Sequence, residues 1–191
     1  SVAQAKAAVD AALVRLAPGD RFNVIEFDDD AQLLFPQPVA ADAQAIAIAR
    51  EWVSLLEADG GTEMLPALTA ALDGTAPEGY VRQVVFATDG AVTEEDLLYG
   101  LIEASLGASR LFPVGIGDAP NARFLEQAAR MGRGTDTVVR DLTEVDARMG
   151  ELFAKLDRPA LRDLDVTWPG VSDAYPRQLP DLYEGEPFVA V

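Results

Sequence analysis

Residues 82–88, RQVVFAT, are apolar on both faces of an extended segment: Val84 and Phe86 on one, Val85 and Ala87 on the other. A strand with one wet face alternates apolar and polar residues; one covered on both faces does not, as expected of a central parallel strand. The run stops at Thr88-Asp89-Gly90. A helix signal follows at once, with Thr93 as its cap and Glu94, Glu95 and Asp96 in its first turn, where carboxylates complement the helix dipole. Buried strand, sharp stop and new helix define one unit of a layered α/β protein.

The rest of the chain repeats the unit. Helical spacing predicts a helix over 2–16, with Val2, Ala5, Val9, Ala12, Leu13 and Leu16 on one face, ended by Pro18-Gly19-Asp20. A strand is predicted over Phe22–Phe27, a turn at Asp28-Asp29-Asp30 and a return strand over Ala31–Phe35. Pro36 and Pro38 mark a loop. A second helix is predicted over 42–57, with Ile46, Ala49, Trp52 or Val53, and Leu56 inward. The glycine-rich loop Asp59-Gly60-Gly61-Thr62-Glu63 leads into a helix over Met64–Leu72, whose Pro66 falls in the tolerant first turn. Leu97, Leu98, Leu101, Ile102 and Leu106 form the stripe of the next helix. A strand follows over Arg110–Gly117, with Pro113 awkward for a central position. Then come a helix over Asn121–Met131, a strand over Thr135–Arg140 and a helix over Leu142–Leu156.

This order predicts a doubly wound, mostly parallel α/β sheet with helices on both faces. The α/β domain is assigned to residues 1–158. Residues 159–191, where Leu164, Val166 and Trp168 alternate with Asp165 and Thr167, read as the start of a β-rich segment. Trp52 and Phe124 fall at core spacing, and Trp168 is expected to pack the tail. Glu63 either tunes the loop beside Thr62 or faces solvent.

Composition narrows the function. The net charge of −17 disfavours nucleic acid and anionic membranes as partners. There is no cysteine, which removes disulfides and thiolate zinc sites, and no histidine, which removes Ser-His catalysis and the usual neutral-pH base. No run approaches the ~18 apolar residues of a membrane span. The chain opens directly on an amphipathic helix and reads as a piece of a longer protein.

In open α/β sheets, ligands bind beyond the carboxyl ends of the strands, where Asp89 falls. Thr62 lies in a glycine-rich loop before a helix, where its hydroxyl can face the same crevice. Such a carboxylate and hydroxyl, with waters, suit a hard divalent ion that keeps open positions. A turn role for Asp89 and a capping role for Thr62 fit the spacing equally well. The aspartates at 28–30 could bind a cation or simply be solvated.

Three segments bear a family resemblance. Ala58–Leu72 (ADGGTEMLPALTAAL), Val84–Glu95 (VVFATDGAVTEE) and Arg110–Arg130 (RLFPVGIGDAPNARFLEQAAR) resemble a von Willebrand factor A (vWA) domain. The opening 27 residues resemble the version in inter-alpha-trypsin inhibitor heavy chains and their bacterial relatives, and the tail resembles the β segment that follows it there. The resemblance implies a non-catalytic, protein-binding adhesion domain of an exported protein, in the periplasm, at the cell surface or secreted. It also implies a metal-ion-dependent adhesion site for Mg²⁺ or Mn²⁺, whose threonine carries over to Thr62 and whose aspartate carries over to Asp89. A partner's acidic side chain completes the metal shell.

The family's D-x-S-x-S motif, which sits on a central strand upstream of the first helix, has no counterpart in residues 1–191. Metal binding by this chain alone is therefore expected to be weak or absent. The strands at 22–27 and 82–88 are expected to flank a gap, closed by direct pairing, by the apolar tail PFVAV or by strand exchange in a homodimer. Two other functions compete: a Mg²⁺-dependent phosphotransfer or hydrolase domain using Asp89, and a scaffold with a vestigial metal site. The first also calls for further acidic residues and a lysine at neighbouring strand ends.

Overall fold

A computed structural model describes residues 2–57, 61, 63–74, 76–89, 92, 94–117, 120–157, 160–161 and 181–183. Its elements run α1 (Val2–Leu13), β1 (Arg21–Phe22), β2 (Ile25–Phe27), β3 (Ala31–Leu33), β4 (Val39–Ala40), α2 (Ala43–Leu55), α3 (Met64–Leu72) and β5 (Gln83–Thr88). They continue with α4 (Glu95–Ser105), β6 (Arg110–Ile116), α5 (Ala122–Met131), β7 (Thr137–Val139), α6 (Val145–Leu156), β8 (Ala160–Leu161) and β9 (Leu182–Tyr183).

The centre is a parallel sheet in the order β5-β6-β7. β5 and β6 pair from Gln83↔Arg110 to Thr88↔Gly115, and β6 and β7 pair from Val114↔Thr137 to Ile116↔Val139. Every residue of β6 is buried, because helices cover both faces. On one face Phe112, Val114 and Ile116 pack with Ala8 and Ala11 of α1 and with Met149, Leu152 and Phe153 of α6. On the other, Leu111 and Phe86 pack with Met64 and Leu68 of α3, Leu98 and Ile102 of α4, and Phe124 and Leu125 of α5. This is the doubly wound α/β architecture that the alternation of helix and strand predicts.

Pro113 nevertheless lies in the central strand. The Arg110 N–H donates to Arg82 O on the β5 side, and the Leu111 N–H donates to Gly132 O on the β7 side. Strand alternation turns Pro113 to the β7 side as well, one residue before that ladder opens at Val114. Its missing donor therefore costs no ladder bond.

The predicted strand over Phe22–Phe27 is two strands. Asn23 breaks it: its Oδ1 accepts from the N–H groups of Val24 (2.9 Å) and Phe35 (3.0 Å), and its Nδ2 donates to Phe35 O (2.8 Å). The side chain replaces ladder bonds, so β1 pairs with β4 and β2 with β3, both antiparallel. The first helix ends at Leu13, short of the predicted 16; Ala8 and Ala11 are buried against the sheet with the expected Ala5 and Ala12 packed beside them, and Val9, Leu13 and Leu16 lie towards the α2 side. α1 has two partners, and alanines let it approach the sheet closely. Phe124 is fully buried as expected, and Trp52 packs half-buried beside Val53.

The same ladder arithmetic leaves the backbone groups of Gln83, Val85 and Ala87 facing the outer edge of β5. Among the described residues no strand pairs with that edge. Direct pairing of β2 with β5 is not found. Instead Phe27 stacks on Phe86, with ring centroids 5.5 Å apart and planes at 13°. The tail PFVAV and Trp168 lie outside the described residues.

Candidate functional site at the carboxyl end of the sheet

Asp89 is the first residue past β5 and is exposed. Arg82, just before β5, donates from Nη1 to Ala71 O at the carboxyl end of α3 (3.3 Å), so the amino end of α3 points to the end of the sheet where Asp89 lies. α4 begins there too, six residues beyond Asp89. The amino ends of two helices thus lie on the strand-end side of the sheet, where open α/β sheets bind their ligands.

Thr62 lies outside the described residues, but both of its neighbours are tied down. The Gly61 N–H donates to Asp29 Oδ1 at 2.7 Å, and the Glu63 N–H donates to Asp28 O at 2.7 Å. Asp28 Oδ1 also accepts from the Asp30 N–H at 3.0 Å. The hairpin tip thereby organises the loop before α3, a role beyond simple solvation for Asp28 and Asp29. A Cβ at position 61 would lie 2.7 Å from Asp29 Oδ1, so glycine there permits the close approach. Glu63 itself is exposed at the N-cap of α3 and makes no side-chain cap bond. Among the described residues no group of three or more carboxylates is arranged to hold a metal ion.

The other rim is set by a residue the sequence did not single out for this role. The Glu95 carboxylate accepts from Asn121 Nδ2 at 2.8 Å and from the Tyr99 hydroxyl at 3.3 Å. Asn121 in turn caps α5, its Oδ1 accepting from the Phe124 N–H at 3.1 Å. Glu95 so joins the amino ends of α4 and α5 rather than merely complementing a dipole. Burial first, and then the Glu95 charge, pushes the Tyr99 hydroxyl's pKa up and keeps it a donor. The signal that could have exposed this link is the acidic residue at 95 opposite a helix-capping asparagine at 121, on the next helix. The predicted cap Thr93 lies outside the described residues.

Glu26, on β2, has its carboxyl pKa raised, first by burial and then by the Asp28 charge. A carboxyl whose folded pKa is raised contributes stability below its ordinary range, and that contribution is lost as pH rises through the raised value. Glu26→Gln is therefore expected to raise the melting temperature at pH 7, with a smaller gain at pH 4. Thermal unfolding at the two pH values checks this, and an equal gain at both would contradict it.

Helices on both faces of a parallel sheet, with an aspartate ending one strand, define a doubly wound α/β domain. The sequence matches the von Willebrand factor type A domain over residues 1–138. The chain belongs to that family. The similar proteins include a von Willebrand factor A domain-containing protein of Dictyostelium discoideum, 22% identical over 97% of this chain and 20% of its own length. Another is the human von Willebrand factor A domain-containing protein 5B1, 27% identical over 88% of this chain and 14% of its own. Among solved structures, a von Willebrand factor type A protein from Catenulispora acidiphila superposes with a TM-score of 0.71 at 31% identity, covering 81% of this chain and 38% of that one. An aerotolerance-related membrane protein from Bacteroides fragilis shares the fold, with a TM-score of 0.66 at 17% identity over 82% of this chain and 88% of that one. The chain spans about a fifth of the length of the first curated relatives it matches.

Proposed function

We propose that the chain is a non-catalytic, protein-binding vWA module of a larger exported protein, of the inter-alpha-trypsin inhibitor heavy chain-like type. Its site is a metal-ion-dependent adhesion site of which Thr62 and Asp89 are one part. The observation that carries the reading is the position of Asp89, exposed and one residue past a buried parallel strand, at the end of the sheet where α3 and α4 begin. A single carboxylate and a hydroxyl fit Mg²⁺ or Mn²⁺ only as part of a larger oxygen set. The remaining ligands would come on a strand, outside residues 1–191, that pairs with the outer edge of β5. The bound ion would supply a positive charge for a partner's acidic side chain, and Asp89 would orient it.

The phosphotransfer reading is weaker because the two lysines of the chain are placed elsewhere. Lys6 donates to Ser54 O at the last turn of α2 (2.9 Å), and Lys155 lies in the last turn of α6, at the far end of the sheet. The test is thermal unfolding of the full-length protein with and without Mn²⁺. Saturating metal, at about 100 times its Kd, is expected to stabilise it by about 2.7 kcal/mol, and Asp89→Ala is expected to remove that shift. A shift that survives Asp89→Ala would place the metal elsewhere.

A further inference from the structure

The amino end of the sheet, opposite Asp89, carries a buried ion pair. Arg110, the first residue of β6, donates from Nη2 to Asp181 Oδ1 at 2.8 Å and from Nε to Asp181 Oδ2. Its Nη1 donates to the carbonyls of Ala108 and Ser109, both at 3.0 Å. Both charged side chains are only 3% exposed. Asp181 lies 71 residues further along the chain, next to β9, which pairs with β8 through Ala160↔Tyr183 and Leu161↔Leu182. β8 follows α6, whose final carbonyl at Leu156 accepts from Gln83 Nε2 at 3.4 Å, at the start of β5. The pair and the small β unit therefore both sit at the amino end of the sheet.

We propose that Arg110 and Asp181 form a latch that docks the C-terminal β8–β9 unit onto the α/β body, making it a fixed closure of the sheet's amino end. A guanidinium this deeply buried needs a counter-charge, and within this fold Asp181 meets it with two parallel bonds. An apolar contact of equal size would bury the surface without fixing the register. A bidentate pair accepts one alignment, so it selects the docked position of residues 181–183. When the unit lifts away, Arg110 is left as a carboxylate receptor held by two backbone carbonyls, and redocking is favoured. The latch acts at the end of the sheet opposite Asp89.

Peptide-level hydrogen exchange on the whole chain tests the latch. In the unaltered protein, amides of residues 181–183 are expected to exchange at least about 100-fold slower than in a free peptide. Asp181→Ala is expected to bring them within about 10-fold of the free-peptide rate, while residues 83–88 and 137–139 keep their protection. Replacing both partners with apolar residues, Arg110→Met with Asp181→Leu, is expected to restore most of it, since no charge is then left unpaired. Free-peptide exchange at 181–183 in the unaltered chain, or unchanged protection in Asp181→Ala, would overturn the proposal. Should Asp181→Ala unfold the whole chain, Asp181→Asn, which keeps the shape and removes the charge, decides: protection lost at 181–183 and kept at 83–88 supports the latch, and unchanged protection at 181–183 overturns it.

Discussion

Phe112→Ala is expected to lower the unfolding free energy by about 3–5 kcal/mol. Phe112 is fully buried in the middle of β6. It packs in the cluster formed by Ala8, Ala11, Val114, Val139, Met149 and Phe153, so one ring joins three elements across the sheet. Removing it forfeits the transfer free energy of the ring and leaves a cavity that backbone-anchored neighbours cannot fill. Urea unfolding should show a lower midpoint with an unchanged slope, the mark of lost stability without lost cooperativity. A loss below about 1 kcal/mol would mean that the site collapses freely, which the close packing of α1 and α6 on the sheet argues against.

Gly134→Ala is expected to cost about 3 kcal/mol or more, although it adds a single methyl group. A Cβ at 134 would lie 2.1 Å from the carbonyl oxygen of Leu111 and 3.0 Å from its carbonyl carbon. Those are backbone atoms of the central strand, and neither can swing aside. The turn is pinned from both sides: the Gly132 and Gly134 N–H groups donate to Ala128 and Ala129 at the end of α5, and Gly132 O accepts from the Leu111 N–H. Gly100 supplies the control. It lies in α4 with open space around it, so Gly100→Ala should be neutral or stabilising by up to about 1 kcal/mol. Equal effects at 100 and 134 would show that the close approach at 134 is relieved at little cost.

The alternation of helix and strand was legible wherever one element buries one clear stripe. β5 reads directly from Val84 to Ala87, and α4 and α5 read from their apolar spacing. What stayed hidden depends on side chains that act on distant backbone. Asn23 splits a strand by bonding Val24 and Phe35, and nothing in a local pattern separates it from an ordinary polar strand residue. Ala5, Val9, Ala12 and Leu13 of α1, and Leu16 just after it, pack inward as their spacing predicts, but Ala8 and Ala11, whose small size lets the helix touch the sheet, carry little hydrophobic signal. Pro113 runs against the rule that central strands need their ladder donors, and its tolerance depends on where β7 begins. At the candidate site, Asp89 was legible as the residue that stops a buried strand. The Glu95–Asn121 link was not, since it joins two helices 26 residues apart. The Arg110–Asp181 pair was further out of reach, because nothing in a run of charged residues marks two of them as buried together.

The central claim is that Asp89 is part of a divalent-metal site completed outside residues 1–191. Calorimetric titration of Mn²⁺ and Mg²⁺ tests it most directly, with the full-length protein, its Asp89→Ala variant and the 191-residue chain compared side by side. The expected result is one saturable site in the full-length protein, lost in Asp89→Ala, and weak or no binding by the 191-residue chain. Unchanged binding in Asp89→Ala, or no binding by the full-length protein, would contradict the account, and the second of these would point to a scaffold whose Asp89 only turns the chain.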